Sequence, residues 1–419
     1  MGSEKHILIV GGGVIGLCMA YYARQRGHRV TVLERGGPEH DSCSLGNAGM
    51  VVPSHFVPLA APGMVAMGLR MMGNPESPFY IKPRLDMDLI AWAWRFMRSA
   101  NRRHVERAKP CLKSLHLRSR QCFEDLNALP GRQFGLVQKG LIMLCRKEET
   151  LKEESHAAEE ARRMGIPAEV LTPEEAARLD PGVRMDMAGA VYYPKDCHLS
   201  PNRFMSELTR LLQESGVQIL WNTPVTGWQI LGGEVEAVRA KGRVLEADEY
   251  VIAGGAWSPA VARQTGLRLP MQAGKGYSLT LDKPRQLPEI CSILTEARVA
   301  VTPMGTSLRV GGTMEIAGLD QSINERRVRG IIKSVPQYFP EFQEEDFRGV
   351  PAWSGLRPCT PDGLPYLGRT RKYRNLSVAT GHAMMGLSLG PVTGQLMAEV
   401  LSDKTPSLDI SLLDPERFG

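Results

Sequence analysis

At 419 residues, 43% hydrophobic and 23% charged, the chain has the composition of a folded globular protein rather than of a disordered or integral membrane one, and it is long enough that two domains are expected. Fifty-one basic residues against 45 acidic leave a formal charge of +6, too small over this length to imply a nucleic-acid partner. The eight cysteines contain no CxxC pair and the nine histidines no HxxxH or HxH pattern, so no metal site is expected.

His6 to Val10 is a short apolar, β-branched run that leads into Gly11, Gly13 and Gly16 and then an apolar helical pattern containing Val14 and Ile15. This spacing predicts a strand, a tight turn and a helix whose free amides face an anion. A second strand, Arg29 to Leu33, ends at Glu34 and Arg35, and a carboxylate at that distance can hold both hydroxyls of a ribose. The element is a dinucleotide site, and by itself it does not choose between NAD and FAD. The start of the sequence enters this strand at once, without the apolar and cleavable run of a secretory signal, and is read as cytoplasmic.

The loop that follows, RGGPEHDSCSLGNAGMVVP, is rich in small residues. Ser44 and Asn47 supply polar groups, while Ala48 and Gly49 leave room beside a flat ring. Leu59 to Met72 and Met87 to Met97 are apolar but neither reaches the ~20 residues of a spanning helix. The second carries Trp92, Trp94 and Phe96 beside Arg95, Arg98, Arg102 and Arg103. Such a helix either packs in the core with its arginines in water or lies on an anionic membrane.

Residues 110 to 130 form an amphipathic pattern, Leu136 to Cys145 a strand containing Gly140, and Lys147 to Met164 a charged helix with i, i+4 pairs. TPEEAARL from Thr172 has a capping-box start. A helix from Pro201, a strand near Val217 to Trp221 and a meander from Thr223 to Ala247 follow. Tyr250 to Ala253 is a strand closed by Gly254 and Gly255, a second backbone approach to the same ligand. Met271 to Gly318 alternates as antiparallel strands do.

Four separated pieces then resemble one family: the fingerprint with Glu34, the SLGNAGMVVP loop, the AGGAWS turn, and WSGLRPCTPDGLPYLGRT with its TGHAMMG sequel. They are similar to the FAD-dependent amino-acid oxidases and dehydrogenases, which include glycine oxidase, sarcosine oxidase and D-amino-acid dehydrogenase, and within them to the bacterial D-amino-acid dehydrogenases. The resemblance implies an α/β fold in which a Rossmann-like FAD-binding domain (1–60, 196–265 and 346–419) is interleaved with an α+β, mainly antiparallel-sheet substrate domain (61–195 and 266–345). It implies that Gly11, Gly13, Gly16 and Glu34 hold the adenosine diphosphate half of FAD, that Ser44, Asn47, Ala48 and Gly49 line the region from phosphate to flavin, and that Val225 meets the adenine. Gly381, His382, Met385, Gly386 and Leu387 would place a helix start at the pyrimidine edge of the flavin, where oriented amides stabilise negative charge.

The resemblance further places the substrate carboxylate on Arg357, whose planar fork suits it. Tyr277 and His55 stand as additional catalytic candidates. The implied reaction is hydride transfer from the carbon bearing the amine of a D-amino acid, including cyclic ones such as D-proline, to flavin N5. Electrons would pass to a quinone or another non-oxygen acceptor, with peripheral membrane contact through the aromatic and basic helix. An oxygen-using oxidase of glycine, sarcosine or a D-amino acid, and a flavin-binding subunit of a larger complex, are the alternative readings.

Overall fold

The computed structural model describes residues 3–39, 42–131 and 133–418; Met1, Gly2, His40 and Asp41 of the small-residue loop, Arg132 and Gly419 lie outside it. Its centre is a six-stranded sheet in the order Tyr366–Arg369, Leu376–Thr380, Glu249–Ile252, His6–Val10, Arg29–Leu33, Gln218–Leu220. All neighbours are parallel except the first pair. A parallel strand covered on both faces must be apolar throughout, and Ile7, Leu8 and Ile9 are fully buried. Helix Val14–Gln25 covers one face and packs on helix Gly386–Leu401. The two backbones approach closely because a Cβ on Gly390 would meet Val14 Cγ2 at 3.0 Å and one on Gly394 would meet the Cys18 carbonyl at 2.6 Å. The meander Val225–Leu231, Glu234–Ala240, Arg243–Glu246 is a separate three-stranded sheet.

The second large sheet runs Ala352–Cys359, Gln272–Leu281, Ser307–Ile316, Val299–Met304, Cys291–Leu294, Leu141–Cys145, Gly189–Tyr193, Glu169–Leu171, with Phe79–Ile81 also paired to Ser307–Ile316. It is mainly antiparallel, with parallel pairs where Cys291–Leu294 meets Leu141–Cys145 and where Phe79–Ile81 is added. The mixed α/β fold therefore follows the expected class, with one correction to the division of the sequence between domains. Ala352–Cys359, expected within the 346–419 segment of the cofactor domain, pairs residue by residue with Gln272–Leu281 of the other sheet. It is an edge strand, which is why Pro358 is tolerated in it. The backbone crosses back to the parallel sheet only at Tyr366.

Two shorter departures have local causes. The strand expected from Leu136 begins at Leu141 because Gly140 has φ +82°, which breaks extended pairing. In helix Met87–Ser99, Trp92 is 5% exposed, stacks on Phe96 at 5.2 Å and donates its indole N–H to the Cys359 carbonyl at 2.9 Å. The face turned outward is instead Met87, Ile90, Trp94 and Met97, which recur at helical spacing. Among the described residues no helix is long and apolar enough to cross a membrane.

Candidate active site

The fingerprint turn is built by sterics. Gly11 has φ +122°, and a Cβ there would lie 2.4 Å from the Ala253 carbonyl oxygen; a Cβ on Gly16 would lie 1.9 Å from the Gly11 carbonyl oxygen. Gly13 precedes the first turn of the helix, where the Val14 amide donates to Ser44 Oγ at 3.0 Å. Glu34 accepts from the amides of Gly12 at 2.7 Å and Gly36 at 2.8 Å, so its carboxylate is fixed at the end of its strand.

A cavity of about 460 Å³ opens over this turn. Gly11, Gly13, Val14, Ile15, Glu34, Arg35, Ser44, Asn47, Val225, Gly254, His382, Gly386 and Leu387 all line it. The N-termini of helices Val14–Gln25 and Gly386–Leu401 thus face one space, which suits a ligand with an anionic centre. Arg35 lies 3.5 Å over the Trp257 ring at its rim. Inside, His382 is 3% exposed; its Nε2 pairs with Thr393 Oγ1 at 2.9 Å while its Nδ1 has no partner among the described residues. That orphaned nitrogen, the two helix starts and the Cβ-free turn fit the phosphates and ring edge of FAD. Gly16, Gly49 and Gly381 stand outside the cavity and shape its walls: Cβ atoms on Gly49 and Gly381 would meet the Leu199 carbonyl at 2.2 Å and Thr360 Cγ2 at 2.5 Å.

A second cavity of about 600 Å³ shares Cys43 and Asn47 with the first. Ala48, His55, Tyr277, Arg357 and Met385 line it. The structure thus brings the three catalytic candidates to one space, next to the one that suits FAD. Arg357 comes from the edge strand and reaches over Gly276, where a Cβ would lie 2.0 Å from the guanidinium. It donates to the carbonyls of Thr313 and Gly312. Among the described residues no carboxylate pairs with it, and burial pulls its pKa below the usual guanidinium value.

Those acceptors exist because the sheet is irregular there. The register shifts between Lys275 and Tyr277, and Thr313 has φ +70°, an outlier for a β-branched residue. Bulges re-aim backbone groups in this way beside functional sites. The sequence reading missed Thr313, Gly312 and Gly276; the doubled glycine in LRVGGTMEI was the available signal. It also missed Arg309, which is 7% exposed and donates to the carbonyls of Leu45 and Asn47 at 2.8 Å. That arginine holds the small-residue loop between the two cavities.

Tyr277 presents its ring to the cavity, while its hydroxyl donates to Glu315 at 2.7 Å; burial and that carboxylate raise its pKa. His55 is partly buried, and burial holds it at about 4. Its Nδ1 lies 2.9 Å from Ser54 Oγ, which donates to the buried Asp196. Burial pushes Asp196 up to about 7.

A model of the family described as FAD dependent oxidoreductase matches residues 6–400. A D-amino acid dehydrogenase of Granulibacter bethesdensis is 34% identical, covering 99% of both chains, and one of Methylobacterium radiotolerans is 34% identical over 96% of this chain and 97% of its own. Among solved structures, glycine oxidase from Geobacillus kaustophilus superimposes with a TM-score of 0.78 at 26% identity, covering 99% of each chain.

Two outcomes follow from this geometry. Gly16→Ala should weaken FAD binding by at least ~10-fold, or about 1.4 kcal/mol, because its methyl meets the Gly11 carbonyl; wild-type flavin content after gel filtration would contradict this. The second concerns acid stability. Burial holds His116 and His382 at about 3 and His198 at about 4. Their neutral forms stabilise the fold above the unfolded value of ~6.5, and this is lost as pH falls toward the folded values. Asp196 has the opposite sign: its folded pKa is raised, so its contribution is lost as pH rises through about 7, and it offsets one histidine near pH 5. His55, held at about 4, adds a fourth depressed histidine, so unfolding should take up about three protons there, lowering stability by ~4 kcal/mol per pH unit below about pH 6. Urea titrations showing no pH dependence between about pH 6 and 5 would contradict it.

Proposed function

This chain belongs to the FAD dependent oxidoreductase family, and from that premise we propose that it oxidises an acyclic D-amino acid to the imino acid, which water hydrolyses to the 2-oxo acid and ammonia. When bound, FAD supplies the two-electron acceptor for the hydrogen on the carbon that bears the amine. The observation that carries the reading is Arg357, a guanidinium without a carboxylate partner among the described residues, held by two backbone carbonyls in a cavity next to the FAD site. A partly buried cation in that condition is costly unless an anion joins it, and an α-carboxylate matches its fork. The names of the relatives from Granulibacter bethesdensis and Methylobacterium radiotolerans support both the D-configuration and an acceptor other than oxygen.

The other residues orient and enclose. The Thr313 and Gly312 carbonyls fix one side of the guanidinium, so the carboxylate approaches from the other. His55, neutral above about pH 4, presents its Nε2 as a hydrogen-bond acceptor for the amine in the tautomer whose Nδ1–H donates to Ser54 Oγ, which in turn donates to Asp196. Tyr277 keeps its proton on the Glu315 side and contributes a ring wall. The cavity, about 600 Å³, exceeds what a five-membered ring fills, which favours an acyclic substrate over the ring-closed acids.

The same reading extends to the membrane. Met87, Ile90, Trp94 and Met97 are 77, 52, 51 and 54% exposed on one helix face, and Arg98 covers the Trp94 ring at 4.7 Å. With Arg102 and Arg103 also exposed, the face joins apolar side chains to a basic collar and suits anionic lipid at the cytoplasmic surface. It also favours a lipid-soluble acceptor such as a quinone.

Arg357→Leu should keep FAD and lower kcat/KM for the D-amino acid at least ~10-fold; retention of activity would remove the arginine from the reaction, and stoichiometric peroxide under air would replace the dehydrogenase by an oxidase. In sedimentation with vesicles, Ile90→Glu with Trp94→Glu should weaken binding to anionic phospholipid by at least ~10-fold, and equal binding by the wild type to neutral and anionic vesicles would contradict the basic collar's role.

A further inference from the structure

The second cavity is longer than one amino-acid head requires. Its floor is a row of cross-strand neighbours: Trp353 opposite Ser278, Ser278 opposite Gly311, Gly311 opposite Ala300, Ala300 opposite Ile293, and Ile293 opposite Met143. All six line the cavity, so it crosses six adjacent strands, roughly 24 Å at ~4.8 Å per step. The Arg357 guanidinium is hydrogen-bonded to strand Ser307–Ile316, which leaves three steps, about 14 Å, to the strand of Met143. This far lobe is floored by small and apolar residues.

Glu154 lies at the end of the lobe. It comes from helix Glu148–Arg163, lines the cavity, and makes no hydrogen bond or ion pair within 4 Å among the described residues. Burial raises its pKa while Arg298, also on the lining, pulls it back down. Arg298 keeps contact with solvent, although the packing around it lowers its pKa, and its guanidinium touches the Met67 sulfur at 2.9 Å. Both groups are partly desolvated, but the arginine has the Met67 sulfur and water beside it, whereas the Glu154 carboxylate has no hydrogen-bond donor among the described residues.

We propose that the far lobe is a side-chain subsite and that Glu154 determines specificity, taking the ammonium or guanidinium tip of a D-amino acid with a long basic side chain. This rests on the amino-acid reading of Arg357. The lengths agree: five bonds of about 1.5 Å in a zigzag carry the ammonium about 6 Å from the α-carbon. With the carboxylate and a ~3 Å contact at each end, the ligand bridges about 14 Å, the same as the three strand steps to Leu141–Cys145, against which helix Glu148–Arg163 packs.

The test is anaerobic flavin bleaching of the holoenzyme with D-lysine, D-norleucine, which has the same reach without the charge, and D-glutamate. D-lysine should bleach at least ~10-fold more efficiently than D-norleucine. Glu154→Gln should reduce that ratio at least ~10-fold, with the loss in Kd rather than in the limiting rate, while Glu153→Gln, exposed on the same helix, holds it within ~2-fold. Bleaching by D-norleucine with a ratio near one, or an equal loss for both substrates in Glu154→Gln, overturns the subsite alone. Preference for D-glutamate assigns the lobe to Arg298 and overturns it too. Failure of all three to bleach the flavin overturns the amino-acid reading together with the subsite.

Discussion

The arrangement turns on a guanidinium that has backbone acceptors but, among the described residues, no carboxylate. Arg357 could be solvated more cheaply on a surface; its position in the cavity persists because several features specify it together. Its edge strand pairs in register with Gln272–Leu281, the absence of a side chain on Gly276 gives it room, and the irregularity at Thr313 turns two carbonyls toward it. The left-handed conformation of Thr313, with φ +70°, costs of order 1–3 kcal/mol in isolation. Strain held in place beside an unmatched charge is the pattern of a preorganised binding site.

The cofactor half is organised by the crossing of two helices. Gly390 and Gly394 let helix Gly386–Leu401 settle onto Val14 and Cys18, and that contact sets both N-termini against the same cavity. The two halves meet through the isolated bridge between Cys359 and His382, through the indole of Trp92 on the Cys359 carbonyl, and through Arg309 on the loop that separates the cavities. Displacing the edge strand would move Arg357 and, through Leu356 and Pro358, the wall of the FAD-suited cavity together, so the two cavities are coupled by covalent neighbours rather than by a distant network.

Local pattern made the dinucleotide turn and the main strands legible, and family likeness turned them into a fold and a site for FAD. The glycines of the fingerprint, the acid at its expected distance and the β-branched runs each act through near neighbours, so spacing alone predicts them. Arg357 was legible only through family likeness, because its partners are two residues of one strand, 44 and 45 positions away. The bulge was not legible, since pairing register is set by tertiary contact and not by the run of residues. In helix Met87–Ser99 the aromatic positions drew attention, but the burial of Trp92 by a carbonyl from a distant strand decided which face looks outward. Glu154 read as one more acid in a solvated helix, and only the cavity distinguishes it from Glu153.

The central claim, that Arg357 is unpaired in order to receive a carboxylate, is tested most directly by comparing an acyclic D-amino acid with its own carboxamide in anaerobic flavin reduction. Loss of a charge-assisted, two-pronged contact should lower the efficiency for the amide by ~100-fold, about 2.7 kcal/mol. Reduction by the amide within ~3-fold of the acid, under 1 kcal/mol, would show that no carboxylate is recognised there and would contradict the account.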